Sequence, residues 1–533
     1  MSARLEQEAR FVAMADALAL ASNDVGHVLR RLDDWLGGLR RDLAGHAPVW
    51  PGLREDGEIA REARALDARM NAVVGGWAER EADLGRAQAL AERFDARIVL
   101  LVFGKFNAGK SAFCNLLAER FASHGSQARY FHIEDGRIVQ TPERFVEGAT
   151  EATARLQGVY LAERLVLLDT PGLHSVTGEN AALTRRFTDS ADGVLWLTSS
   201  TSPGQVQELD ELARELQRGK PLLPVITRSD VFEEDELDGD IVKILRNKTT
   251  DNRALQQADV QVRAQAKLRA MGVDQGLLRP PVSVSAHMAR EHGQSPAALA
   301  DAGFAGLYEA LNAIVGPAVD YRRRKAAEMR LHHLEEHVFG ALQAEIAPRL
   351  QHLDATLQAA RARLEPAASR IAAAIWRGVV PALPGLLQDH ADSADARAVC
   401  TAAARRLTAV AAHAVETVLG AEYRLDAGLP RVCLSLAEGV GYERITLDGD
   451  DPDVGPSLPQ GEPLLVGVSH ERLHAALQDE VQRWANRLAD HAAAQAEASL
   501  LRLADGVAAL GRVLRDAGQA LDEAKARLRT QDG

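Results

Sequence analysis

Cysteine is scarce, with Cys114, Cys400 and Cys433 the only three in 533 residues. So few, so far apart, they build neither a disulfide framework nor a cysteine-based zinc site, and a reducing cytosol is the expected compartment. Aromatic residues make up 5% of the chain, low for an all-β protein, while alanine is abundant and favours helix. No uninterrupted apolar run reaches the length of about 18 residues that a membrane-spanning helix needs. The first residues, Met1 to Glu8, are charged and lack the apolar core of a signal peptide. Positive charge is in deficit: 62 Lys and Arg stand against 75 Asp and Glu, for a net charge of −13. That balance argues against a protein that coats nucleic acid by bulk charge, and no nucleic-acid partner is expected. What remains is an ordinary globular composition, 46% hydrophobic and 26% charged, and a length that suggests about three domains.

The pattern along the chain changes twice. Val25, Leu29, Leu32, Leu36, Leu39 and Leu43 recur at three- and four-residue steps, which predicts a helix. Residues 45–57 carry Pro48, Pro51 and Gly52 and read as a turn, and a second helix is expected from Glu58 to Phe94. Residues 1–95 are thus a helical hairpin by pattern. From Ile98 to Phe103 the chain is continuously apolar, as in a strand buried on both faces of a parallel sheet. Similar runs follow at Leu165–Leu168, Gly193–Thr198, Leu222–Thr227 and Val282–Ser285, with helix-like stretches such as Val206–Arg218 between several of them. Alternation of this kind predicts a doubly wound, mostly parallel α/β domain over 96–316, closed by a helix at Phe304–Val315. Residues 317–533 return to helix. One apolar stripe runs from Leu331 to Leu364 and a heptad-like seam from Leu500 to Leu528. A Gly- and Pro-rich insert at 429–468 interrupts them, with Ile445–Leu447 and Leu464–Val466 as short strand candidates.

One motif carries specific chemistry. Gly104-Lys105-Phe106-Asn107-Ala108-Gly109-Lys110-Ser111 matches G-x-x-x-x-G-K-[ST] between a predicted strand and a predicted helix, the context that marks a phosphate-binding loop. Gly104 and Gly109 let the backbone curl so that the N–H groups of the loop, from Asn107 and Ala108 to Ser111 and Ala112, face phosphate oxygens. Lys110 reaches the β- and γ-phosphates, and the Ser111 hydroxyl ligates Mg²⁺. Asp169-Thr170-Pro171-Gly172 follows the next strand. There Asp169 is expected to hold Mg²⁺ through water and the Gly172 N–H to meet the γ-phosphate. Thr227-Arg228-Ser229-Asp230 resembles the [NT]-K-x-D box, whose Asp accepts from the guanine N1–H and amine. Adenine lacks that donor pair, so Asp230 selects GTP over ATP, and the stem of Arg228 keeps the stacking role of the usual Lys. Ser285-Ala286-His287 resembles the S-A-K box that meets the base edge. The expected ligands are therefore GTP or GDP with Mg²⁺. The Thr that would sense the γ-phosphate is not fixed by pattern: Ser123, Ser126, Thr141, Thr150 and Thr153 all stand between the loop and Asp169. No Gln follows Gly172 to position water.

The loop, together with Asn115-Leu116-Leu117 on the helix after it, resembles that of bacterial dynamin-like proteins. So does the order of helical hairpin, nucleotide domain and long helical region. Era-type GTPases share an Asn at the position of Asn107 but do not usually carry helical regions on both sides. The resemblance implies a GTPase that dimerises or assembles further through its GTPase domains or its helices. Its neck and trunk would move with the nucleotide, and it would remodel or tether membrane from the cytoplasmic side, as a peripheral protein touching lipid. Two stretches are candidates for that contact: Ile371–Leu387 and the insert 429–468. The run Tyr321-Arg322-Arg323-Arg324-Lys325 and the acidic segment Glu233–Glu236 are read as solvated surface. The competing reading is a GTP-dependent switch that binds a protein partner without acting on membrane.

Overall fold

The computed structural model describes residues 2–18, 25–94, 96–105, 107–134, 137–147, 156–169, 188–203, 205–237, 240–447 and 464–530. The chain forms two compact units, neither contiguous in sequence: residues 1–36, 77–338 and 520–533 in one, residues 37–76 and 339–519 in the other.

The first unit is built on an eight-stranded sheet. In chain order its strands are β1 (Ile98–Phe103), β2 (Ala128–Glu134), β3 (Arg137–Thr141), β4 (Gln157–Leu161), β5 (Leu165–Asp169), β6 (Gly193–Ser199) and β7 (Leu222–Thr227). A separate two-stranded hairpin follows, β8 (Asp230–Leu237) and β9 (Asp240–Asn247), before β10 (Val282–Ser283) returns to the sheet. The sheet order is β10-β7-β6-β1-β5-β4-β2-β3. The five strands from β10 to β5 run parallel, and β4, β2 and β3 are antiparallel at one edge. All six residues of β1 are buried, as a central parallel strand with helices on both faces requires. On one face helix Lys110–Ser123 packs Phe113, Leu116 and Phe121 against Leu307, Tyr308 and Leu311 of helix Phe304–His333. Helix Ser2–Ala17 joins that layer, its Phe11 ring 5.8 Å from Phe121 and 6.0 Å from Tyr308. On the other face Phe94, Trp196 and Leu209 pack with Val260, Ala264 and Leu268 of helix Thr250–Ala270.

The predicted strands appear where the apolar runs placed them. Several elements differ from expectation. The helix predicted from Glu58 to Phe94 is two helices, Glu58–Gly75 and Trp77–Glu92, divided at the Gly75–Gly76 pair, whose missing side chains lower helix propensity. The stretch Val206–Arg218 forms two short helices, Glu208–Glu211 and Ala213–Gln217. The helix predicted at Phe304–Val315 continues through Pro317 to His333. The acidic segment Glu233–Glu236, expected as a loop, is a strand. Its partner β9 supplies Lys243 and Arg246, and Arg246 pairs with Glu233 at 3.4 Å and Asp235 at 2.6 Å.

The second unit is helical. It contains Ala347–Leu364, Ala367–Val379, Leu383–Asp389, Ala396–Leu419 and much of the 60-residue helix Glu471–Thr530. The apolar stripe Leu350, Leu353, Leu357 is buried, and so is the seam at Leu500, Leu503, Val507 and Leu510. Ile371, Ile375, Val379, Leu383 and Leu387 are each 0% exposed, so this stretch is core and presents no apolar tip. Composition alone gives one stretch within the helical run Phe304–Asp389 a mean hydropathy of 1.3, enough for a span, which the sequence reading did not expect. The insert forms an antiparallel hairpin, β11 (Glu443–Leu447) with β12 (Leu464–Ser469), close to the two predicted strands.

Candidate functional site

The parallel strands end together. Val102 stands beside Asp169, Phe103 beside Trp196, and Ser199 beside Thr227, so the C-terminal ends of β1, β5, β6 and β7 lie along one sheet edge. That is where open α/β sheets bind ligands. Gly104 leaves β1 at φ 151°, and a Cβ there would lie 2.2 Å from the Leu197 carbonyl oxygen, so only glycine lets the loop pass so close to β6. Asn107 is also left-handed, at φ 63°. Gly109 caps helix Lys110–Ser123 at φ 81° and ψ 22°, which aims the helix N-terminus into the loop. The Lys110 ammonium donates to the Gly104 carbonyl at 2.8 Å and the Lys105 carbonyl at 3.1 Å, drawn across the mouth of the loop.

Asp169 ends β5 and is fully buried beside this helix. Its Oδ2 accepts from the Ser111 hydroxyl at 3.1 Å and from Gln157 Nε2 at 3.0 Å. Burial raises its pKa, and Lys110, Gln157 and Ser111 pull the other way. Its Oδ1 is buried with no hydrogen-bond partner among the described residues. A buried carboxylate oxygen without a donor, beside a serine hydroxyl, fits a hard cation such as Mg²⁺, which takes one or two carboxylates and completes its shell with water and phosphate. No cluster of three His, Cys, Asp or Glu occurs among the described residues. Thr170, Pro171 and Gly172 lie outside the described residues.

The loops after β7 and β10 meet at Asp230. Its Oδ2 accepts from the Ser285 hydroxyl at 2.5 Å, while Ser285 Oγ accepts from the Met288 N–H at 3.1 Å and so caps helix Ala286–Glu291. Ser229 is fully buried; its N–H donates to the Val284 carbonyl at 3.1 Å, and Arg253 donates to its hydroxyl at 3.1 Å. Thr227 Oγ1 donates to the Ala108 carbonyl at 2.7 Å, tying this box to the phosphate loop. Arg228 is exposed at φ 50°. His287 is 68% exposed and faces Glu291 at 3.5 Å.

The structure therefore brings Gly104, Asn107, Ala108, Gly109, Lys110, Ser111, Ala112, Asp169, Thr227, Arg228, Asp230, Ser285 and Ala286 to one edge. Of the candidates for the γ-phosphate sensor, Thr141 ends β3, the outermost strand, where its hydroxyl accepts from the Glu143 N–H. Ser123 donates to the Arg120 carbonyl and Ser126 to Asp16. Thr150 and Thr153 lie outside the described residues. Asn115 is buried and clasps the Phe145 backbone, donating to its carbonyl at 2.9 Å and accepting from its N–H at 3.2 Å. The segment just before 148 is thereby fixed to the phosphate-loop helix. Sequence reading missed Gln157 and the props of Ser229. Gln157 faces Asp169 across the β4–β5 hairpin. The only signal was the near-symmetry of apolar residues about Ala162–Arg164.

Comparison with known proteins bears on this geometry. The family model described as "Dynamin family" matches residues 149–228, which run from before β4 to the start of the base box. A protein of Acinetobacter baylyi is 46% identical over 389 residues, 73% of this chain and 76% of its own length. The chain belongs to the dynamin family of GTPases. Solved structures similar to this dynamin-family GTPase include the LeoA bacterial dynamin GTPase from ETEC, at 11% identity, 99% of this chain, 96% of that one and a TM-score of 0.27. Another is a bacterial dynamin from an oligomerised pair described as sensing and tethering membranes, at 13% identity, 78% of this chain, 65% of that one and a TM-score of 0.28. The nucleotide of the present chain is a guanine nucleotide, and its reaction is GTP hydrolysis.

Proposed function

We propose that this GTPase binds GTP with Mg²⁺ along the edge described above and couples hydrolysis to dimerisation and to movement of a helical stalk at a membrane. In this reading residues 96–316 are the GTPase domain, and 1–95 and 317–533 are its neck and trunk. The carrying observation is that Ser111 meets Asp169 beside the loop spanned by Lys110, and that Thr227 ties this loop to the segment whose Asp230 is held by Ser285. Lys110 and the loop N–H groups hold the phosphates. Ser111 and Asp169 would hold Mg²⁺, which when bound would supply charge stabilisation to the phosphates. The Gly172 N–H meets the γ-phosphate, and Asp230 accepts from the guanine edge while the stem of Arg228 covers the ring. Self-assembly and peripheral contact with the inner face of the membrane complete the reading.

Calorimetric titration tests the pocket. GTP is expected to bind in the presence of Mg²⁺, ATP far more weakly, and Lys110→Ala to abolish GTP binding. Asp230→Asn should weaken GTP and favour xanthosine triphosphate, whose C2 carbonyl accepts where guanine donates. Equal affinity for GTP and ATP would contradict the base assignment. One observation favours the second reading, a switch that grips a protein partner: the apolar stretch Ile371–Leu387 is buried within its own unit. A Lys110→Ala protein that held its partner regardless of nucleotide would count against that reading.

A further inference from the structure

Two helices of the first unit start at the edge described above. Helix Lys110–Ser123 begins with the residues assigned to the phosphates, and helix Ala286–Glu291 begins beside Ser285, which holds Asp230. The two are in contact, and Phe113, Leu117, Met288 and Ala289 belong to one buried apolar cluster. Apolar contact is non-directional, so it fixes the angle between the helices only loosely. Directional contacts are added further along both. The Arg290 guanidinium donates through Nε and Nη2 to the two oxygens of Glu119, at 3.4 and 3.3 Å, and through Nη1 to Glu147 at 2.7 Å. The other oxygen of Glu147 accepts from Asn115 Nδ2 at 2.6 Å. Gln294, just past the short helix, also donates to Glu119, at 2.7 Å.

Asn115 and Glu119 are four residues apart on the phosphate-loop helix, hence on one face and about one turn apart. Arg290 therefore grips that helix at two points, directly at Glu119 and through Glu147 at Asn115. One point fixes a distance; two points fix an angle as well. Burial opposes ionisation of Glu147, but hydrogen bonds from Arg290 and Asn115 outweigh it and hold its pKa below the ordinary value. Arg290 is 28% exposed and Glu119 19%, so water screens this clamp less than it screens a free surface pair. We propose that Arg290 is a positioning residue for guanine recognition: by clamping helix Ala286–Glu291 to the phosphate-loop helix, it sets Asp230 and Ser285 at the distance and angle that a nucleotide held by its phosphates requires. The proposal rests on the nucleotide reading above and adds to it a specificity-determining residue outside the base and phosphate boxes. Lysine cannot take this place, because a single ammonium lacks the planar fork that spans the acceptors of two acids.

The test separates base from phosphates. Binding to the full-length chain with Mg²⁺ is measured by displacement of a fluorescent GDP analogue, once with GTP and once with tripolyphosphate, which has phosphates and no base. Arg290→Gln should bind GTP about fivefold more weakly and tripolyphosphate within about twofold of the parent. Arg290→Lys should lie near Arg290→Gln. Glu119→Gln should show the same selective loss, and Arg290→Gln/Glu119→Gln little more than either single variant, since both remove one contact. The control is Arg263→Gln, which removes equal charge and breaks an exposed pair with Asp259 at 2.9 Å; it should bind both ligands as the parent does. Melting curves check that each variant is folded, and should Arg290→Gln fail to fold, Glu147→Gln, which cuts one arm of the clamp, carries the same comparison. Equal weakening of GTP and tripolyphosphate would make the clamp a prop of the whole fold, and unchanged GTP affinity would make it a plain surface pair; either overturns the proposal. A parent that binds GTP while the variants match it sinks the clamp alone, whereas a parent that does not bind GTP sinks the nucleotide reading and the clamp together.

Discussion

In the proposed site Asp230 would be oriented before any base arrives. Ser285 donates to one of its oxygens and at the same time caps the next helix, so one hydroxyl fixes both the carboxylate and the loop that borders the base. Replacing Ser285 by Ala removes a charge-assisted bond and a cap. GTP affinity should fall by about five- to tenfold, roughly 1–1.5 kcal/mol, with a further loss of thermal stability. Ser285→Thr should retain most of both, and calorimetry beside a melting curve separates the two effects. Unchanged GTP affinity in Ser285→Ala would mean that Asp230 needs no such support. The phosphate loop was legible at this scale because its residues are contiguous and its glycines are demanded by φ angles and by the close approach to Leu197. Gln157 was not, because it meets Asp169 only through a hairpin whose pairing is not written in either residue.

Strands buried on both faces announce themselves as unbroken apolar runs, and β1, β5, β6 and β7 lie where the runs do. Strands whose stability comes from cross-strand charge do not. Glu233, Glu234 and Asp235 read as solvent-loving until Lys243 and Arg246 stand opposite them on β9. The basic run after the GTPase fold misleads in the other direction. Tyr321 and Lys325 are buried, and Lys325 donates to Asp192 at 2.9 Å and to the Ser190 carbonyl. Asp192 in turn accepts from the Val99 N–H at 2.8 Å, so the run anchors the strand entry of β6 to β1 and to the helix that follows the sheet. Lys325→Ala leaves Asp192 buried without its cation and should cost about 3–5 kcal/mol of stability. Lys325→Ala/Asp192→Asn should recover part of it. Denaturant unfolding measures both, and a single variant as stable as the parent would show that the pair is not structural.

At the scale of the molecule, the alternation of helix, α/β sheet and helix was readable from hydrophobic period alone, because each class of element has its own repeat. The way the chain divides was less so. Helix Ser2–Ala17 lends Phe11 to the core under the sheet, a contact more than a hundred residues away from Phe121 in sequence. Likewise the apolar stretch Ile371–Leu387 looks like a membrane tip in one dimension and is a buried helical face in three. The central claim is that turnover belongs to an assembly rather than to a lone chain. GTP turnover per chain, measured over a wide range of protein concentration with and without anionic vesicles and with Lys110→Ala as the inactive control, tests it most directly. The account predicts specific activity that climbs with concentration or with lipid. Slow turnover that stays flat across the range, with and without vesicles, would contradict it.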